Sequence, residues 1–235
     1  MIITGVSNNE MERYIVPAGT HPAICVGVID CGTQHWEYMG EAKQGHKVRL
    51  QWELPNEETW TGEDGVEHAR TISTEYTASL HEKSNLRKAL VGWRSRDFSE
   101  DELAGFDLTS VLGKPCMLSI IHKTKATGGQ YAKVDNVSVL VRGLTLGRSD
   151  AVVLGPDEKG NYPSISPKVS YSIEDGNNDV FKTFPEWIQN ILIASEEFQN
   201  NGAPPSPATK VAAHEAAKKL EGKVVDPTLE ESVPF

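Results

Sequence analysis

Residues 46–54 read HKVRLQWEL, and the alternation is strict: Val48, Leu50, Trp52 and Leu54 fall on one side, Lys47, Arg49, Gln51 and Glu53 on the other. A period of two is the signature of a strand with one buried face. Its outward face is basic and polar.

Working outward, two further runs have strand grammar. HPAICVGVID (21–30) is apolar, rich in β-branched residues and closed by Asp30-Cys31-Gly32. ARTISTEYTASL (69–80) places Ile72, Tyr76, Ala78 and Leu80 on one side and Thr71, Ser73, Glu75, Thr77 and Ser79 on the other. Such short hydroxyl side chains leave a shallow exposed surface. Helical signals follow: Ser84 as N-cap with Leu86, Leu90 and Trp93 at i, i+4 and i+7, a capping box over Ser99-Glu100-Asp101-Glu102, and a turn from Asp107 to Gly113. CMLSIIHKTK (116–125), Gly128-Gly129 and QYAKVDNVSVLV (130–141) then read as a hairpin.

Three strands, a helical insert and two strands is the order of an OB-fold, a mainly β, five-stranded Greek-key barrel with the helix between strands 3 and 4. SH3-like barrels and small sandwiches share the strand count. The expected organisation is a barrel over residues 1–148, an extension over 149–199 and a linker with tail over 200–235. The extension holds a strand-like KVSYSI (168–173) and a packing helix that starts at Phe184-Pro185-Glu186-Trp187, with Trp187, Ile188, Ile191 and Leu192 as its apolar stripe.

The net charge of −10 over 235 residues argues at first against a nucleic-acid partner. Its distribution weakens that argument. Residues 1–148 carry 16 basic and 19 acidic residues, whereas 149–200 carry 3 and 9. Within the first part the signs are segregated: 57–67 hold five acids and no base, 114–133 four lysines and no acid, and 81–96 five bases and one acid. Segregation of this kind makes a basic groove possible on an acidic protein.

Several chemistries are set aside. Three cysteines, Cys25, Cys31 and Cys116, make no disulfide framework, and the Cys25–Cys31 spacing does not match a zinc knuckle. No GxxxxGK[ST], HExxH or GxSxG motif occurs, so no enzyme, metal or cofactor is expected. No apolar run approaches a bilayer span and the first residues lack a signal-peptide pattern, so a soluble, cytoplasmic protein is expected, in a host cell if phage-encoded.

The tail is informative. After the Pro-rich Ala203-Pro204-Pro205-Ser206-Pro207 it carries Asp226, Glu230 and Glu231 ahead of Pro234 and Phe235. An acidic segment with a terminal aromatic suits a pocket with basic residues around an apolar floor. On these residues the chain resembles the single-stranded DNA-binding proteins of bacteria and their phages, OB-fold proteins that end in an acidic tip. The stretch from Ser73 to Thr124 is similar to a phage family connected with replication. The tip has fewer acids, the linker is short and 149–200 has no bacterial counterpart; tetramer formation does not carry over, and self-association stays open.

The resemblance implies a sequence-tolerant single-strand site, with a basic path for phosphates and aromatic faces for bases. The first loop (31–47) and its strand offer Trp36, Tyr38, Lys43, Lys47 and Arg49, and the last hairpin offers Lys123, Lys125, Tyr131 and Lys133. Asp226, Glu230, Glu231, Pro234 and Phe235 would recruit replication or recombination proteins. Trp52 and Tyr76 are expected in the core, Trp93 and Trp187 in helix packing, and Trp60, in the acidic stretch, outside the site. Arg87, Lys88, Arg94 and Arg96 either extend the basic track or balance the acidic loop. Two other functions fit the composition: a protein-interaction or virion-associated β-barrel, and a metal-dependent nuclease.

Overall fold

A computed structural model describes residues 14–62, 65–141, 146, 157, 158 and 160–201. The linker and acidic tail lie outside the described residues. The chain is mainly β, arranged around a long strand β1 (Gly19–Tyr38) that turns back at once into β2 (Glu41–Glu53). A small hairpin, β3 (Trp60–Thr61) with β4 (Glu67–His68), interrupts the acidic stretch before β5 (Thr71–Thr77). Helices α1 (Asn85–Arg94) and α2 (Glu100–Ala104) and a 3-10 turn (Leu108–Val111) precede β6 (Pro115–Thr124) and β7 (Gln130–Ser138). The C-terminal extension contributes β8 (Val169–Tyr171), α3 (Asp179–Thr183), α4 (Glu186–Ile193) and α5 (Glu196–Asn201).

The sheet runs β5-β2-β1-β6-β7, antiparallel throughout, with β8 added in parallel to Gly27–Ile29 of β1. It is open: no ladder joins β5 to β7 among the described residues, so where strand order led to a partly open barrel the structure has an open sheet. Closure needs strand tilt and stagger that bring two edge strands within hydrogen-bonding distance, and element order does not specify these.

The face of β2 read as core is core. Val48, Leu50, Trp52 and Leu54 are buried with Tyr76, with Leu118 and Ile120 of β6 and with Val134 and Val137 of β7. Helix α1 covers this core with Leu86, Ala89, Leu90 and Trp93, and the rings of Trp52 and Trp93 meet at 6.1 Å. Each large apolar side chain buried there contributes roughly 1.5–3 kcal/mol. Ser84 caps α1, and Ser99 with Glu102 forms the anticipated capping box on α2. Gly92 allows close packing of α1: a Cβ there would lie 2.5 Å from the Val137 carbonyl oxygen.

The middle of strand β1 is buried on both faces. Ile29 and Cys31 face away from the main core into a second cluster made by the extension, with Tyr171, Ile173, Phe181, Phe184, Ile188 and Leu192. The extension is therefore laid against the sheet and joined to it through β8. Pro185 is the N-cap of α4, one position before the first turn expected from sequence. The apolar stripe of this helix divides. Ile188 and Leu192 are buried and Ile191 is half-buried, but Trp187 is 50% exposed, which corrects its assignment to packing. Trp187 is one residue out of step with the buried i, i+4 pair, about 100° around the helix, so docking on β1 turns its ring to the edge.

Candidate nucleic-acid interface

The stretch read as a first loop is a continuous hairpin, so Trp36, Tyr38 and Lys43 stand on strands rather than in a loop. Only Met39 and Gly40 turn, with φ of 52° and 78°. Positive φ at both central residues matches the right-handed twist of the two strands and lets pairing continue to Tyr38 and Glu41.

Register then decides which side chains share a face. Directly opposed residues project to the same side of a sheet. Trp36 is opposite Lys43, Tyr38 opposite Glu41, Gly32 opposite Lys47 and Ile29 opposite Arg49; on the other flank Lys47 is opposite Thr77 and Arg49 opposite Glu75. Trp36, Tyr38, Lys43, Lys47 and Arg49 thus share the face opposite the main core, with Ser73, Glu75 and Thr77 beside them. The hydroxyl-bearing face of 69–80 is the sequence signal for those neighbours.

The cations on this face lie over aromatic rings. Lys43 Nζ is 4.7 Å from the centre of the Tyr38 ring and Lys47 Nζ is 4.1 Å from that of Trp36. Both lie within the range in which a ring quadrupole attracts a cation. The Trp36 ring lies over Gly45, where a Cβ would be 3.2 Å from it. Its indole N–H is buried and finds no hydrogen-bond partner among the described residues. Lys47 is only 8% exposed and donates to Thr77 Oγ1 at 3.1 Å. Arg49 donates to Ser73 Oγ at 3.2 Å, pairs with Glu75 at 3.0 Å, and lies 5.0 Å from the Trp187 ring. Lys47 and Arg49 are therefore held in place by the protein itself, whereas Lys43 is exposed.

The second group sits on the β6–β7 hairpin. Lys123 is opposite Tyr131 and Lys133 opposite Ile121, so these side chains share one face of the ribbon, and Lys125 opens its turn. Lys123, Lys125 and Lys133 have no acidic partner among the described residues. The ladders place this turn beyond Gly19 and the β1–β2 turn beyond Tyr38, so the two hairpin tips leave opposite ends of β1.

In the basic block at 81–96 the three arginines are engaged locally. Arg87 pairs with Asp97 at 2.9 Å, and Arg94 and Arg96 both pair with Glu102, whose carboxyl is pulled down to about 2 by the Arg96 hydrogen bond and the Ser99 amide. These arginines balance acids of their own insert, not the acidic 57–67 stretch. Trp60 stacks on His68 at 4.7 Å across the small hairpin β3–β4, which is a sheet separate from the strands that carry Lys43, Lys47 and Arg49.

Helix α5 reaches the distal part of β1. Glu197 accepts from the Thr33 amide at 2.6 Å and the Thr33 hydroxyl at 2.7 Å, and its other neighbour, His46, also contacts Asp30 at 2.6 Å. Burial raises the Glu197 carboxyl, but the two Thr33 hydrogen bonds outweigh it and the net direction is down. His35 contacts Glu196 at 2.6 Å. Among the described residues no three His, Cys, Asp or Glu side chains converge to hold a metal ion. The Cys25 and Cys31 thiols are buried and pushed up to about 12, chiefly by burial. No helix among the described residues is long and apolar enough to cross a membrane. Comparison with protein-family models, with curated proteins and with solved structures finds no match.

Proposed function

We propose that this chain is a sequence-independent, non-enzymatic single-stranded DNA-binding protein of OB-fold ancestry, acting in replication or recombination. The observation that carries the reading is the sheet face on which Trp36, Tyr38, Lys43, Lys47 and Arg49 stand together, with two cation-over-ring pairs on one hairpin. Stacking surfaces with adjacent positive charge are what a single strand requires, because every base has a π-face and every nucleotide a phosphate. The order β5-β2-β1-β6-β7, with α1 between β5 and β6, is that of an OB-fold lacking its closing ladder, which supports the same reading.

Phosphate contact is assigned to Lys43, Lys123, Lys125 and Lys133, because Lys47 and Arg49 already have partners in the protein. Four contacts at about −0.7 each give a log–log salt slope of roughly −3 on a single strand. Titration of labelled oligo-dT at several salt concentrations, beside a duplex of equal length, tests this. Preference for duplex, or no binding at low salt, would overturn the reading. The partner-recruiting role of Asp226, Glu230, Glu231, Pro234 and Phe235 rests on sequence resemblance; removing residues 224–235 should leave DNA binding in place while abolishing capture of replication proteins.

A further inference from the structure

We infer that Trp187 of α4 is a third base-stacking platform, so that the C-terminal extension forms one end of the strand-binding face. The inference rests on the single-strand reading above and adds a residue from outside the β1–β2 hairpin. Its basis is a repeated arrangement. Along β2, Lys43, Lys47 and Arg49 each carry an aromatic ring at 4.7, 4.1 and 5.0 Å: Tyr38, Trp36 and Trp187 respectively. At about 3.3 Å per residue these three pairs span roughly 20 Å of one strand, all on the same side.

The third pair differs from the others in a way that suits a base. Arg49 is charge-matched by Glu75 and hydrogen-bonded to Ser73, so this end of the face offers little to a phosphate and the Glu75 carboxylate repels one. What remains available is the indole, half of its surface in solvent while its helix neighbours Ile188 and Leu192 anchor α4 in the second core. Arg49 lies over one face of the ring, 5.0 Å from its centre, and steadies it, so a base would stack on the other face. The ring is held without being buried, which is the state in which stacking costs least ordering. Gln34, on the same face and opposite Gly45, donates to the Ile191 carbonyl at 3.0 Å and ties α4 to β1 about one helical turn beyond Trp187.

The test compares Trp187→Ala, Trp187→Phe and Trp36→Ala in the full chain, reading oligo-dT affinity by anisotropy at several salt concentrations, with urea unfolding on the same samples. Trp187→Ala should weaken binding by about 5- to 100-fold, the range of a single lost base stack, with the salt slope unchanged because no phosphate contact is removed. Trp187→Phe, which keeps a ring, should bind within about threefold of wild type. An oligonucleotide carrying iododeoxyuridine should cross-link to Trp187 on irradiation. If Trp187→Ala binds as tightly as wild type while Trp36→Ala is weakened, Trp187 lies outside the site and the single-strand reading stands. A loss that Phe does not restore, or no cross-link to Trp187, would also overturn the inference. A wild-type chain that does not bind oligo-dT would instead remove the functional reading itself.

Discussion

Replacing Glu197 with alanine probes how the C-terminal extension is held to the sheet. Its carboxylate takes both the main-chain N–H and the hydroxyl of Thr33, at 2.6 and 2.7 Å, at a part of β1 beyond the reach of β8. Hydrogen bonds to a charged group are worth about 1.5–3 kcal/mol each, and an amide left without a partner costs a similar amount. The Glu197 side chain is 29% exposed, so water replaces part of what is lost. The lower end for two such bonds, about 3 kcal/mol, is reduced by this solvation to about 2 kcal/mol, or roughly a 30-fold shift in the docking equilibrium of α5. Steric fit points the same way. Gly32 sits at φ +67°, and a Cβ there would lie 2.6 Å from Glu197 Oε2 and 2.8 Å from Ser195 Cβ, so α5 is seated tightly against the chain.

Amide exchange at Thr33 in the native state is the direct assay, with urea unfolding beside it. Glu197→Ala should accelerate Thr33 exchange by about 30-fold, and Glu197→Gln, which keeps an acceptor but not the charge, by less. The pH dependence has a definite sign. A carboxyl lowered in the folded state adds stability above its ordinary value, near 4.5, and that contribution fades as pH falls through the lowered folded value. The wild-type Thr33 amide should therefore lose protection in acid, and the alanine variant should not show that step. Thr33 exchange within threefold of wild type, with unfolding free energy within about 0.5 kcal/mol, would refute the view that this carboxylate holds α5 to β1.

Two further outcomes follow from packing and burial. Gly92→Ala should destabilise the fold by about 1–3 kcal/mol, seen as a lower urea midpoint, because its Cβ would lie 2.5 Å from a backbone oxygen that cannot swing aside. The thiols of Cys25, Cys31 and Cys116 are buried and held up, the first two to about 12, so the native protein should be inert to an aromatic disulfide reagent at pH 8. All three should react on unfolding in denaturant; rapid labelling of the native chain would show that one of these sites opens.

Much of the sheet was legible because its signals are local. Period-two alternation in 46–54 separates Trp52 from Lys47 and Arg49 without reference to any other segment, and those sides are the ones observed. The Ser84 and Ser99 caps and the Gly128-Gly129 turn are local in the same sense, since each depends on residues within four positions. The first loop was misplaced for a local reason too. Met39-Gly40 lacks the Asn-Gly or Asp-Gly pair that marks a two-residue turn, so polar, aromatic strand ends looked like loop.

The candidate face was legible only in part. Trp36, Tyr38, Lys43, Lys47 and Arg49 could be named from the sequence, but their alignment depends on pairing between β1 and β2, including a register shift between Asp30 and Gly32. One residue of slip would have sent Trp36 to the other side. The partners of Arg87, Arg94 and Arg96 depend on how α1 meets the segment leading into α2, so the sequence left two roles open for them and the structure gives these arginines acids of their own insert.

The sequence by itself thus determined the two sides of 46–54, the caps and the buried places of Trp52, Tyr76 and Trp93, because alternation and capping act over a few residues along one chain. Only the tertiary structure decided that the sheet stays open, that Lys47 and Arg49 are held inside the protein's own network, and that Trp187 faces solvent beside Arg49. Each of these depends on the angle and register at which distant segments dock, and helical spacing names an apolar stripe without saying which of its edges the partner surface will leave uncovered.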